Sequence, residues 1–193
     1  DTETLAELLP KVRLLDIYPN ADFQNVNDTD IPVYVVFGEI REVPLVLCQS
    51  AANQYDYGTF RKPATGSLVV NAVYRNGRVV QSGFYSLVES PSGYYVIRFT
   101  DQKQTMDPNG TPFRIQATVT ATEFVNPANA VKFLLSDSTF GLGKLANAAS
   151  FATAVTAYST LSMSVVGGLT RREPAGDLLS LLLLYGAALD KNT

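Results

Sequence analysis

The side chains best suited to specific recognition gather between Gln49 and Thr65, where Tyr55, Asp56, Tyr57, Phe60 and Arg61 follow one another closely. Aromatic rings offer rigid contact area, and their polar neighbours offer hydrogen bonds, a combination common at binding surfaces. The stretch reads as the longest irregular connection of the chain, and connections of that length often carry function. The competing arrangement folds the same aromatics back over the end of a sheet.

Residues that could do covalent or acid–base chemistry are few. The chain has no histidine, which removes Ser-His-Asp and Cys-His catalysis, HExxH zinc chemistry and imidazole proton transfer. Cys48 is the single cysteine, so neither an intrachain disulfide nor a cysteine zinc cluster can form. It closes the apolar run Val43–Cys48 and reads as a buried, inert thiol. Glu39 and Glu42, the nearest carboxylate pair, straddle an expected turn and read as solvated. Gly141-Leu142-Gly143 lacks the further glycine of a phosphate cradle. Asp107, Asn109 and Thr111 alternate oxygen groups along a loop without the bidentate glutamate of a calcium loop, so a polar turn is expected. No catalytic residue, metal ligand or cofactor is assigned. Asn27 and Asn109 head Asn-x-Thr triplets and are glycosylation acceptors if the chain is secreted.

Charge narrows the partners. The formal net charge is −3 with 17% charged residues, and basic residues nowhere cluster as binding to a nucleic-acid backbone demands. With 193 residues, 46% of them hydrophobic, the chain can bury a substantial core and is too rich in aromatic and β-branched residues to be disordered.

The elements that must position these residues are mostly strands. From Phe113 to Ala121 the odd positions are Phe, Ile, Ala, Val and Ala and the even ones Arg, Gln, Thr and Thr, one dry and one wet face of a pleated strand. Before it, Ser67–Tyr74 and Val79–Val88 flank Asn76-Gly77, the pair that accepts the positive φ angles of a type I′ hairpin turn. Glu89–Gly93 is turn chemistry leading into the strand Tyr94–Phe99. Further strands are expected over Val12–Tyr18, Ile31–Ile40 and Val43–Cys48, with a polar loop from Pro19 to Asp30. A short helix is expected over residues 1–11, and another from Pro127 to Leu135 behind the cap Asn126.

The C-terminal third has a different texture. Residues 145–170 carry no charge over 26 positions, long enough to be weighed as a membrane span. Asn147, four Thr and four Ser weaken that reading, and a small-residue helix over Leu145–Thr153 followed by a strand to Val166 is expected instead. Asp177–Leu189 reads as a leucine-rich helix. Leu178, Leu179, Leu181, Leu182, Leu183 and Leu184 are too many for one side of a surface helix and must be covered, by this domain or by a second chain or lipid; the second case is expected, which makes them assembly residues.

These readings converge on a mainly β protein, an antiparallel β-sandwich of the immunoglobulin-like or jelly-roll kind. Residues 1–124 form its core with a short N-terminal helix, and 125–193 form a helix and strand extension packed on the same domain or on a partner. The expected role is a non-enzymatic structural subunit that self-associates into a coat, filament or surface assembly, its partners being copies of itself or other subunits. The alternative is a recognition domain of the secretory pathway or cell surface, held at a membrane through residues 145–189. Either role favours an extracellular, particle-surface or secretory location.

Overall fold

The computed structural model describes residues 3, 6–22, 30–51 and 54–181. Leu8–Leu9 form a two-residue strand, β1, where the sequence suggested a helix. Leu9 is fully buried, and the pair is held by a distant strand rather than by helical neighbours. The expected strand over Val12–Tyr18 is a single helical turn, α1 (Leu14–Ile17). Local capping overrides its β-branched content: the Asp16 carboxylate accepts the Arg13 backbone N–H at 2.9 Å and pairs with the Arg13 guanidinium at 2.7 Å.

Val35–Leu45 is one long strand, β2, not two strands broken by a turn. Glu42 adopts φ 48°, and three steps along β2 from Ile40 to Val43 face two steps along the opposing strand. This is a β-bulge. The extra residue shifts the side-chain parity, so Ile40, Val43 and Leu45 all enter the same core. Leu47–Ala51 (β3) and Gln54–Phe60 (β4) then form a hairpin where a long loop was expected. Gly58 at φ 64° and the register shift between Tyr57 and Phe60 break the alternation that would have exposed β4 as a strand.

The central hairpin is present as β5 (Leu68–Arg75) and β6 (Arg78–Val80), joined by Asn76 at φ 48° and Gly77 at φ 77°. The expected continuation to Val88 is interrupted. Residues Ser82–Phe84 form a 3-10 turn that carries the chain into the other sheet, where β7 (Tyr85–Glu89) pairs with β8 (Tyr95–Phe99). The last clear strand, β9 (Ile115–Ala121), alternates buried and half-buried residues along its whole length.

Two antiparallel sheets result, ordered β10-β2-β9-β5-β6 (β10 being Gly167–Leu169) and β3-β4-β8-β7. Their facing sides share one core, with Val73, Ile115, Val119, Tyr57, Ile97 and Phe99 among its members. The protein is thus mainly β and sandwich-like.

A second core covers the other side of β2 at Val35 and Phe37, together with Val33 just before the strand. It is closed by α2 (Pro127–Ser136), capped by Asn126, whose side chain accepts the Ala128 N–H at 3.0 Å. α3 (Ala148–Thr160) lies against α2 and runs past Thr153, where a strand was expected. Alanine favours the helix, and the Thr153, Thr156 and Thr160 hydroxyls each donate to the carbonyl four residues back at 2.9–3.2 Å, which removes the polar argument for a strand. β11 (Glu173–Pro174) pairs with β1, and Arg172 donates to the Pro10 carbonyl at 3.2 Å and to Asp30 at 3.1 Å. The chain is helical again over residues 175–181, here α4.

Two glycines separate conformational from steric constraint. Gly77 faces open space, so Gly77→Val meets only the penalty of positive φ, about 1–2 kcal/mol. Gly38, at φ 69°, would place a Cβ 2.5 Å from the Val165 carbonyl oxygen. Gly38→Ala is expected to lower the urea midpoint more than Gly77→Val does; the reverse order would contradict the close approach of residues 163–166 to β2.

Candidate functional site

The described chain converges on a groove at the C-terminal end of the sandwich. Its construction begins at Val165, whose N–H donates to the Val125 carbonyl at 2.8 Å and whose own carbonyl rests over the bare Cα of Gly38. β10 then pairs with Phe37, Val36 and Val35 of β2. Gly168 permits this, since a Cβ there would lie 2.5 Å from the Val35 carbonyl oxygen. β10 is the edge of its sheet, and among the described residues no strand lies on its other side. Opposite stands α4, anchored by the Ala175 N–H on the Glu7 carbonyl at 2.8 Å.

Between these elements lies a cavity of about 700 Å³ lined by Phe37, Leu134, Val165, Leu169, Leu178 and Leu181. Its lining from Met163 to Thr170 is uncharged, and Arg171 and Glu173, an exposed ion pair, border it. Val166 and Leu181 of its lining are exposed, at 70% and 55%, and Leu145 and Leu161 are further exposed apolar residues of the C-terminal third. α3 has no buried residue of its own and no charge. Its half-buried Phe151, Ala154, Val155 and Tyr158 recur at helical spacing.

The residues singled out from the sequence are placed differently. Tyr55 is half-buried, and Asp56, Tyr57 and Phe60 are buried, so the last three side chains are withdrawn from the surface where exposure was expected. β4 lies between β3 and β8, and its ladder draws them in. Asp56, 3% exposed, forms a two-pronged pair with Arg98 at 2.7 and 2.9 Å. Arg61 pairs with Glu123, with side-chain exposures of 13% and 7%, and lies 5.1, 4.7 and 5.9 Å from the ring centres of Phe124, Phe133 and Phe140. Glu123 also accepts the Ala64 N–H at 3.0 Å. Arg61 is thus an interior fastener between the end of β4 and the helical layer.

Leu178 and Leu179 belong to the second core, so they serve the chain's own fold and are not free for assembly. Leu181 is exposed, and Leu182, Leu183 and Leu184 lie outside the described residues, as does Asn27. Asn109 is exposed in its loop, where the Asp107 carboxylate is engaged by the Asn109 and Thr111 N–H groups at 2.9 and 2.8 Å. Residues 145–170 are divided among α3, a connection and β10, and no helix among the described residues is long and apolar enough to cross a membrane. The described residues hold no group of three His, Cys, Asp or Glu side chains able to bind a metal ion. Glu39 pairs with Arg41 and Glu42 occupies the bulge, so the two do not converge. Sequence reading missed the groove because its lining comes from residues 37 through 181; only the charge-free run signalled part of it.

Cys48 is buried, 3.2 Å from the Thr59 hydroxyl, and burial pushes its thiol up to about 12. The Tyr57 hydroxyl is buried without a hydrogen-bond partner among the described residues. Burial, outweighing the nearby Thr105 hydroxyl, pushes it up to about 12 as well.

No protein-family model matches the chain, nor does any curated protein or solved structure.

Two outcomes follow from these buried groups. Arg61→Met leaves the Glu123 carboxylate buried and unpaired and is expected to cost about 3 kcal/mol in chemical unfolding. Adding Glu123→Gln, which keeps an acceptor for the Ala64 N–H, should recover at least half of that; no recovery would show that ring stacking alone matters. Below about pH 7.5 the Cys48 thiol and Tyr57 phenol are neutral in both folded and unfolded chains. The unfolded chain releases its thiol proton around pH 9 and its phenol proton around pH 10 while the folded one keeps both, so stability falls as pH rises towards about 12, with a limiting slope of about 1.4 kcal/mol per pH unit for each group above its unfolded value. Unfolding midpoints of Cys48→Ala should decline less steeply over pH 9–10.5 than those of the parent.

Proposed function

We propose that this protein is a non-enzymatic structural subunit that self-associates through its C-terminal third. The observation that carries the reading is the uncharged run from α3 through the 161–166 connection to β10, in which Leu161 and Val166 are exposed and which lines an apolar cavity from Met163 onwards. Scattered apolar residues are ordinary on a protein surface, but a contiguous patch without charge marks an interaction site. α3 contributes Ala, Ser and Thr side chains that allow close approach of a neighbouring backbone and impose little entropy loss on ordering. Partners are therefore copies of this chain or subunits with a similarly uncharged face.

Light scattering across a range of concentrations tests this directly. The native mass is expected to be a multiple of the chain mass, and a single-chain mass at every concentration would overturn the reading. The paired change Ala152→Glu and Thr156→Glu, at exposed positions of α3, is expected to lower the associated fraction while leaving the melting temperature within a few degrees of the parent.

A further inference from the structure

Resting on the self-association reading, we infer that the open edge of β7 is a second contact, pairing antiparallel with β7 of another copy about a two-fold axis at Leu87. The register of β7 with β8 runs unbroken from Tyr85↔Phe99 to Glu89↔Tyr95, and just beyond it the Ser90 N–H donates to the Tyr94 carbonyl at 2.8 Å. Hydrogen-bonded and non-hydrogen-bonded pairs alternate along an antiparallel ladder, so Ser86 and Val88 direct their backbone groups to β8. The N–H and C=O groups of Tyr85, Leu87 and Glu89 point the other way. Among the described residues no strand lies on that side and no backbone hydrogen bond reaches them.

The other sheet edges are guarded in the ways edges usually are. β10 and β6 have three residues each. β3 carries a register shift, and its Leu47 carbonyl accepts the Asp22 N–H at 2.8 Å. β7 has five residues, no bulge and no proline, and its one charge, Glu89, is held by Lys62 at 2.6 Å. A second β7 fits this edge because the open groups are symmetric about Leu87. Setting Leu87 opposite Leu87 places each Tyr85 opposite a Glu89, which answers every open group of both strands at once. A slipped register leaves some unpaired, and one that sets Glu89 opposite Glu89 opposes like charges. Leu87, half-buried against the sandwich core, is covered further by its counterpart. The contact is isologous. It follows β6, at the opposite end of the sheets from β10, so together with the C-terminal surface it gives each chain two contacts and lets an assembly extend beyond a pair.

Disulfide trapping between two full-length variants, Ser86→Cys and Val88→Cys, tests the contact and its register. In the inferred pairing residue 86 of one chain lies opposite residue 88 of the other, in a non-hydrogen-bonded pair with Cα atoms about 4.5 Å apart, within disulfide reach. The native Cys48 is buried and takes no part. Under oxidation the equimolar mixture is expected to give a two-chain species on a non-reducing gel, and each variant alone to remain single-chain. A mixture that does not cross-link, or a variant that cross-links with itself as readily, would overturn the inference. The mixture is also expected to cross-link when both chains carry Ala152→Glu and Thr156→Glu; loss of the product there would overturn β7 as a separate contact. If the parent associates in light scattering while the mixture fails to cross-link, this inference fails and the self-association reading stands; if the parent is a single chain at every concentration, both fail.

Discussion

Most of this fold depends on keeping both faces of β2 apolar while the strand crosses from one core to another. At its start, Val35 and Phe37 face the helices and Val36 faces the sandwich. Beyond Gly38, Ile40, Val43 and Leu45 all face the sandwich. Strict alternation would turn Val43 and Leu45 outwards, because side-chain parity on a strand is fixed. The bulge at Arg41-Glu42 inserts the one residue needed to restore it. Glu42 tolerates φ 48° because its N–H reaches the Thr118 hydroxyl at 3.2 Å and its carbonyl accepts the Gln116 amide at 2.7 Å.

The helical layer is attached to β2 by close backbone approach and to the end of β4 by one buried cation. Gly38 and Gly168 let the 163–169 segment lie directly on β2. On the opposite side of α2, Arg61 fills the space among three phenylalanines and neutralises Glu123. A lysine could supply the charge but not the flat face that stacks on those rings. These contacts leave α3 resting on α2 with most of its surface uncovered, and they place the groove where the sheet edge and the last described helix face each other.

The two terminal regions are also interdependent. β1 pairs with β11, and Arg172 reaches both Pro10 and Asp30. Residues 170–176, which resemble a charged linker in sequence, instead close the second core with Ala175 and lead into Leu178 and Leu179.

The sequence by itself determined the strands whose pattern is local. β9 was legible from strict alternation, the β5–β6 turn from Asn76-Gly77, and α2 from Asn126-Pro127. The absence of histidine and the lone Cys48 limited the available chemistry before any fold was known. Only the tertiary structure decided the rest. Tyr57 and Phe60 became core, and Asp56 was buried, because β4 is flanked by its hairpin partner β3 on one side and on the other by β8, distant in sequence. Val79–Val88 was divided between two sheets because the sandwich needs a crossing at Gln81–Phe84. α3 prevailed over an equally alternating strand pattern because backbone carbonyls within the helix absorb the threonine hydroxyls. The groove was invisible in sequence for the same reason: it is a property of the close approach of segments more than a hundred residues apart, which no local periodicity records.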